Sequence, residues 1–322
     1  MQWESLIARL PYPSPAAQRL IAIAAIITQA GIGVTGSVVR VTGSGLGCST
    51  WPQCHRGTMF PVEHPEYETL NQWIEFGNRM LTGVVVLVAA LCLLAALRIK
   101  AAHPERGRLV LLAAAMPAGV VAQAAIGGIT VLTELLWWTV AVHFLASAVL
   151  VWLAVLLLHA FAEGDERPRW LLARPQRRLL ALLAATLAAL LVAGTLLTGA
   201  GPHGGDAETP RLDAPIDVLA TLHGILLVVF LGVLGLIGVT LLRGNAPARF
   251  VRRYMLVWLV ALAQGGLGSL QYVLGVPEPL VSLHVLGSAL VVIATAALWC
   301  AARQRGTAPA RPTMSVPSPA PR

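Results

Sequence analysis

Eight apolar stretches of about 20 residues, each long enough to cross a lipid bilayer, follow one another through this chain with only short joints between them. They fall at Leu20 to Val41, Arg79 to Leu97, Leu109 to Leu132, Trp137 to Phe161, Leu179 to Leu197, Val218 to Leu242, Tyr254 to Leu274 and Leu280 to Ala302. Backbone polar groups inside hydrocarbon must be satisfied within their own segment, which for runs of this length means helices. Charged residues make up 12% of the 322 positions, against about a quarter in soluble domains, and the mean hydropathy is +0.73. The expected fold is an all-α integral membrane protein with eight transmembrane helices in one continuous body.

The loops divide by charge. Arg98 to Arg108 follow span two, Arg167 to Arg178 follow span four, and Arg243 to Arg253 follow span six. With Arg9, Arg19 and the four arginines after span eight these make 19 of the 23 basic residues. The other loops hold the acids, among them Glu63, Glu66, Glu75, Asp206, Asp217 and Glu278. By the positive-inside rule both termini are cytoplasmic. The net charge of +8 is then a topological signature and gives no support to nucleic-acid binding, which would need a basic face on a soluble module. The first apolar run is too long for a signal-peptide core, so no cleavable signal is expected.

Laid over itself at an offset of 141 residues, the chain repeats. Ala122, Gln123 and Gly127 fall on Ala263, Gln264 and Gly268, while Val140, His143, Leu145, Ser147 and Ala148 fall on Val281, His284, Leu286, Ser288 and Ala289. Such a duplication points to two pseudo-symmetric four-helix bundles. The expected organisation is a cytoplasmic segment over 1–19, an N-terminal half over 20–162, a cytoplasmic linker over 163–178, a C-terminal half over 179–303, and a disordered cytoplasmic tail over 304–322, rich in Pro, Ala and Ser.

His143, His223 and His284 lie six, five and four residues into spans four, six and eight, roughly 6 to 9 Å below the same face. Ionisable side chains are costly in hydrocarbon, and three histidines at one depth point to metal ligation. Span two offers Asn78 at the corresponding place, so the halves present Asn78 with His143 and His223 with His284. Zinc takes three or four tightly clustered ligands. Imidazole pairs from facing helices suit the axial positions of a haem iron better.

Cys48 and Cys54 share an outer loop, with five residues between them, in a compartment that permits disulfides; a structural staple and a redox role both stand at this point. Cys92 and Cys300 lie in apolar helices and read as packing residues. Glu75, three residues before Asn78, shares its face about one turn nearer the surface. It is either a base or proton relay beside the metal pocket or a solvated acid at a helix N-terminus. Thr42-Gly-Ser-Gly45 and Thr198-Gly-Ala-Gly201 look like duplicated loops where backbone approaches a ligand, with Arg40 and Arg79 available to pair with haem propionates. His55, His64, His103 and His159 show no pattern.

From about Leu20 to Ala302 the chain resembles the haem A synthase family. The resemblance is carried by Arg40-Val-Thr-Gly-Ser-Gly-Leu-Gly-Cys48 with Cys54, by Glu75-Phe-Gly-Asn-Arg79, by Thr198-Gly-Ala-Gly-Pro-His-Gly-Gly-Asp206 and by the histidines of spans four, six and eight. It implies oxidation of the C8 methyl of haem O to the formyl of haem A, for terminal oxidases, in the plasma membrane with the haem sites toward the outer face. It implies a haem b cofactor between His223 and His284, substrate haem O in the N-terminal half at His143, a functional Glu75, and Cys48 with Cys54 as the outer cysteine pair, a disulfide. The haem O synthase is the implied donor, and a homo-oligomer is compatible with the reading. The family usually has Glu-x-x-His-Arg entering span two, where this chain has Asn78. Asparagine is a poor iron ligand, so the substrate iron is expected either five-coordinate through His143 or with a water held by Asn78. An electron-transferring cytochrome b and a non-enzymatic haem carrier are the competing functions.

Overall fold

The protein is described as a computed structural model covering residues 2–242 and 246–309. Expectations placed on Arg243, Arg311, Arg322 and the tail beyond residue 309 fall outside the described residues. In chain order the elements are α1 (Gln2–Arg9), α2 (Pro15–Val41), α3 (Thr69–Ala102), α4 (Gly107–Leu132), α5 (Trp137–Ala162), β1 (Arg169–Trp170), α6 (Arg174–Ala200), α7 (Ile216–Leu242), α8 (Ala248–Val273), α9 (Glu278–Ala301) and β2 (Arg303–Gln304). Helices α2 to α9 are each long and apolar enough to cross a membrane. This is a multi-pass, all-α membrane protein.

Several helices overrun their apolar stretches because a helix does not stop where water begins. Helix α3 starts at Thr69 and runs 34 residues, about 51 Å, well beyond a hydrocarbon core of roughly 30 Å. Its first three turns therefore stand outside hydrocarbon and support the loop that precedes them. Helix α6 begins at Arg174, inside the expected linker. Pro175 sits in its first turn, where proline's fixed φ suits a helix start, and the Gln176 side chain accepts the Ala173 N–H at 3.0 Å.

In the N-terminal half α2–α3, α3–α4, α4–α5 and α2–α5 all pack extensively, so the four helices close into a ring. In the C-terminal half the hairpins α6–α7 and α8–α9 are each tightly packed, yet α7 barely meets α8 and α6 barely meets α9. The second bundle is two hairpins standing apart. The halves join through α9 against α2 and α5, and through α5 against α6.

Each half has its own core. One contains Ala22, Val85, Cys92, Met116 and Leu157, the other Leu183, Phe230, Ile237, Phe250 and Leu298. Cys92 and Cys300 are free and buried, in keeping with a packing role. The outer surface is as apolar as the core: Leu111, Val121, Val228 and Leu259 are 67 to 72% exposed, as expected where the surrounding solvent is lipid.

At the end of the bundle that carries the basic loops, the joint between halves is fastened. Arg106, 1% exposed, forms an ion pair with Asp165 at 3.1 Å and donates to the carbonyls of Ala160 at 2.7 Å and Glu163. Asp165 also accepts the Arg108 and Leu109 N–H groups at 2.6 and 3.1 Å. The chain leaving α9 pairs antiparallel with this joint, Arg169 with Gln304 and Trp170 with Arg303, and Glu163 bridges to Thr307. Residues 304–307, expected in a disordered tail, are thus paired with the linker. The linker presents free backbone donors and acceptors, and backbone pairing satisfies them whatever the composition of the partner.

Candidate functional site

His143, His223 and His284 lie six, seven and six residues after the first residues of α5, α7 and α9, roughly 9 to 10 Å along each helix. The common depth expected from the sequence is present, at the end of the bundle opposite the basic loops. Each imidazole packs on a glycine of the preceding helix. A Cβ added at Gly127 of α4 would lie 3.3 Å from His143 Cε1, at Gly194 of α6 3.1 Å from His223 Cε1, and at Gly268 of α8 2.8 Å from His284 Cε1. Asn78 repeats the arrangement more loosely, with Gly36 of α2 facing its Nδ2 at 3.8 Å. Four hairpins therefore each offer one polar side chain across a glycine.

The duplication extends to the backbone beside two of these residues. Gln123 Nε2 donates to the His143 carbonyl at 3.2 Å, and Gln264 Nε2 donates to the His284 carbonyl at 2.9 Å. Gln123 also donates to Ser147, whose hydroxyl donates to the His143 carbonyl at 3.0 Å. Sequence reading found Gln123 with Gln264 and Gly127 with Gly268 as repeat positions, missed what they do, and did not find Gly194 or Gly36. The glycines make room for a ring, and the glutamines fix the turn that carries it.

His223 and His284 come one from each of the two C-terminal hairpins, on α7 and α9. Nδ1 of His143, His223 and His284 is buried with no hydrogen-bond partner. Among the described residues no three His, Cys, Asp or Glu side chains converge on a metal-sized centre. One imidazole from each of two separated hairpins, with a glycine beside each ring, suits axial ligation of a planar macrocycle.

Asn78 is turned toward α2, where the Thr35 hydroxyl donates to its Oδ1 at 2.7 Å. One of the two acceptor sites of the amide oxygen is thereby used. The sequence pairing of Asn78 with His143 has no counterpart in this bond, which depends on a helix that the repeat does not point to.

Cys48 and Cys54 are disulfide-bonded and buried beneath the start of α3. Glu75 is 5% exposed, which rules out a solvated acid at a helix terminus. Its Oε2 accepts the Cys48 N–H at 2.7 Å, and Oε1 pairs with Arg79. Arg79 Nη1 reaches the carbonyls of Thr50 and Gln53 at 2.9 and 3.1 Å. Glu75 and Arg79 together clamp the disulfide loop onto α3. Gly47 is where that loop touches the helix, since a Cβ there would lie 2.6 Å from the Asn71 carbonyl. His55, without an assignment from sequence, is a loop residue bonded to Ser49 at 2.9 Å and Gln72 at 3.0 Å.

The glycine-rich segments meet. The Gly45 N–H donates to the Gly205 carbonyl at 2.8 Å, joining the halves at this end, although Thr198 to Ala200 are the last turn of α6 rather than loop. Arg40 Nη2 donates to the carbonyls of Thr198 at 3.3 Å and Pro202 at 3.2 Å. Arg211, which sequence reading missed, donates to the same Thr198 carbonyl at 2.7 Å and to Gly201, and burial pushes its pKa below the ordinary arginine value. Two guanidinium groups thus share one spot with no carboxylate partner among the described residues. Only folding brings positions so distant in sequence together, and no local motif marks Arg211.

Fold and site together define a class: polytopic helical membrane proteins carrying intramembrane imidazoles under a disulfide-closed cap. Within that class the chain belongs to the COX15-CtaA family, described as cytochrome oxidase assembly protein, whose model matches residues 19–296. Similar curated proteins are each named "Heme A synthase". That of Bacillus pumilus is 32% identical over 161 residues, 49% of this chain and 49% of the relative. That of Geobacillus thermodenitrificans is 30% identical over 129 residues, 39% and 37%, and that of Geobacillus kaustophilus 29% over 131 residues, 39% and 37%. The matched stretch spans half or less of each relative.

Proposed function

We propose that this protein is a haem A synthase, oxidising the C8 methyl of haem O to the formyl of haem A for terminal oxidases. What carries the reading is a glycine-backed imidazole on each of the two tightly packed C-terminal hairpins, His223 and His284, in a chain of this family. The family membership and the names of its relatives favour the enzyme over a cytochrome b or a haem carrier.

Haem b bound between His223 and His284 supplies reversible one-electron chemistry. Gly194 and Gly268 leave the two rings their space, and Gln264 holds the backbone of His284. His143 serves substrate haem O in the N-terminal half as the single protein ligand. Glu75, oriented by the Cys48 N–H and Arg79, takes or returns a proton at the edge of the substrate pocket. Arg40, joined by Arg211, holds propionate carboxylates, whereas Arg79 is occupied with Glu75 and the disulfide loop and acts by fixing them. The arginine distribution supports a plasma-membrane orientation with both termini cytoplasmic and the disulfide end outside, with haem O received from the haem O synthase.

The assignment of the cofactor half is tested by spectroscopy. His223→Ala and His284→Ala should each abolish the low-spin bis-imidazole spectrum of the purified protein, while His143→Ala leaves it in place. An unchanged spectrum in both of the first two variants would overturn the assignment.

A further inference from the structure

At the basic end of the bundle, remote from the histidines, an open cleft of about 430 Å³ is lined by Trp170, Arg174, Arg177, Arg178, Ala181 and Trp299. Three arginines at i, i+3 and i+4 share one face of α6. The Arg177 guanidinium lies over the Trp170 ring, 5.4 Å from its centre, and Trp170 meets Trp299 edge-on at 5.7 Å. The aromatic walls belong to β1 and α9, so the cleft exists only because the chain leaving α9 pairs with the linker.

The acids of this end are committed elsewhere. Glu163 pairs with Arg108 at 3.4 Å, Asp165 with Arg106 at 3.1 Å and Glu105 with His103 at 3.7 Å, while the exposed Glu166 has its carboxylate beside Gly306 rather than at the cleft. Among the described residues no carboxylate pairs with Arg174, Arg177 or Arg178. Three fixed positive charges beside two tryptophans, at the level where a membrane helix enters lipid, call for an anion that is itself part of the membrane. Directly below, Ala181, Leu182, Ala185 and Ala188 of α6 are exposed, and the small side chains leave a shallow apolar track in line with the arginines.

We propose that this cleft binds an anionic phospholipid, with its phosphodiester among Arg174, Arg177 and Arg178, its glycerol region against Trp170 and Trp299, and an acyl chain along the alanine track of α6. The guanidinium fork matches phosphate oxygens in charge and shape. The site fastens the linker between the halves to the bilayer and is independent of the haem assignment.

The test uses the purified full-length protein in mild detergent, with binding followed by native mass spectrometry and thermal melting. Dioleoyl phosphatidylglycerol should bind and raise the melting temperature, whereas dioleoyl phosphatidylcholine and inorganic phosphate should not. Arg174→Gln/Arg177→Gln/Arg178→Gln should lose that shift, and an Arg252→Gln/Arg253→Gln control at the start of α8 should keep it. Arg177→Gln alone, which leaves the fold's ion pairs intact, should weaken binding about tenfold, so the site remains testable if the triple variant does not fold. Equal shifts with the zwitterionic lipid, reproduction of the shift by inorganic phosphate, or undiminished binding by the variants would each overturn the proposal.

Discussion

Gly268→Ala should weaken haem binding at His284, and the structure sets by how much. The added methyl would lie 2.8 Å from His284 Cε1, where carbon atoms normally sit about 3.5 to 4.0 Å apart. The ring must retreat by about 0.7 Å or more, and Gln264 ties down the backbone beneath it at 2.9 Å. Overpacking of this kind costs about 1–3 kcal/mol, and felt at the ligating ring it corresponds to haem bound roughly 5- to 150-fold more weakly. The assay is titration of apoprotein with haem b, followed by Soret absorbance and the low-spin signal. Gly266→Ala is the matched control, on the same helix with nothing within 4 Å of the new methyl, and it should leave affinity unchanged. Wild-type affinity and spectrum in Gly268→Ala, or equal weakening by Gly266→Ala, would refute the reasoning.

Three other perturbations have definite expected outcomes. Asn78→His restores a second imidazole to the N-terminal half, so haem addition should produce a second low-spin signal; its absence would show that α3 cannot present a ligand there. Loss of the Thr35 contact in that variant costs about 1 kcal/mol. Arg106→Ala leaves Asp165 buried without its cation and should destabilise the protein by about 3–5 kcal/mol, read as a lower thermal midpoint with the haem spectrum intact below it; an unchanged midpoint would contradict the buried-pair account. Cys48→Ser/Cys54→Ser removes a short cross-link worth about 2 kcal/mol of loop-closure entropy. It should also slow haem O conversion by loosening the loop that orients Glu75, while leaving the His223–His284 spectrum untouched, and full activity in that variant would separate Glu75's role from the loop.

What could be read from the sequence was whatever hydrophobicity and repetition encode. Eight spans follow from apolar runs of bilayer length, His143 and His284 follow from a repeat that preserves them, and His223 follows from its matching depth in span six. The beginning of α3 was hidden because Thr69 to Asn78 is polar yet helix-compatible, and hydropathy records solvent rather than backbone conformation. The closed first bundle and the separated hairpins of the second were hidden too, because pseudo-symmetry of sequence does not require equal packing. Arg106 counts in sequence as a topological charge like its neighbours, but folding encloses it with Asp165. Arg211 reaches Arg40 only through the return of the loop over the end of α6. Each of these depends on contacts between distant segments, which neither periodicity nor spacing records.

The most direct measurement of the central claim is extraction and mass analysis of the haems in the purified protein, expressed with and without a source of haem O. Haem b in both samples, with the formyl-bearing haem A appearing only when haem O is supplied, is the predicted result. Haem b alone in the first sample and unconverted haem O in the second would contradict the synthase reading and leave a haem-binding membrane protein without that chemistry.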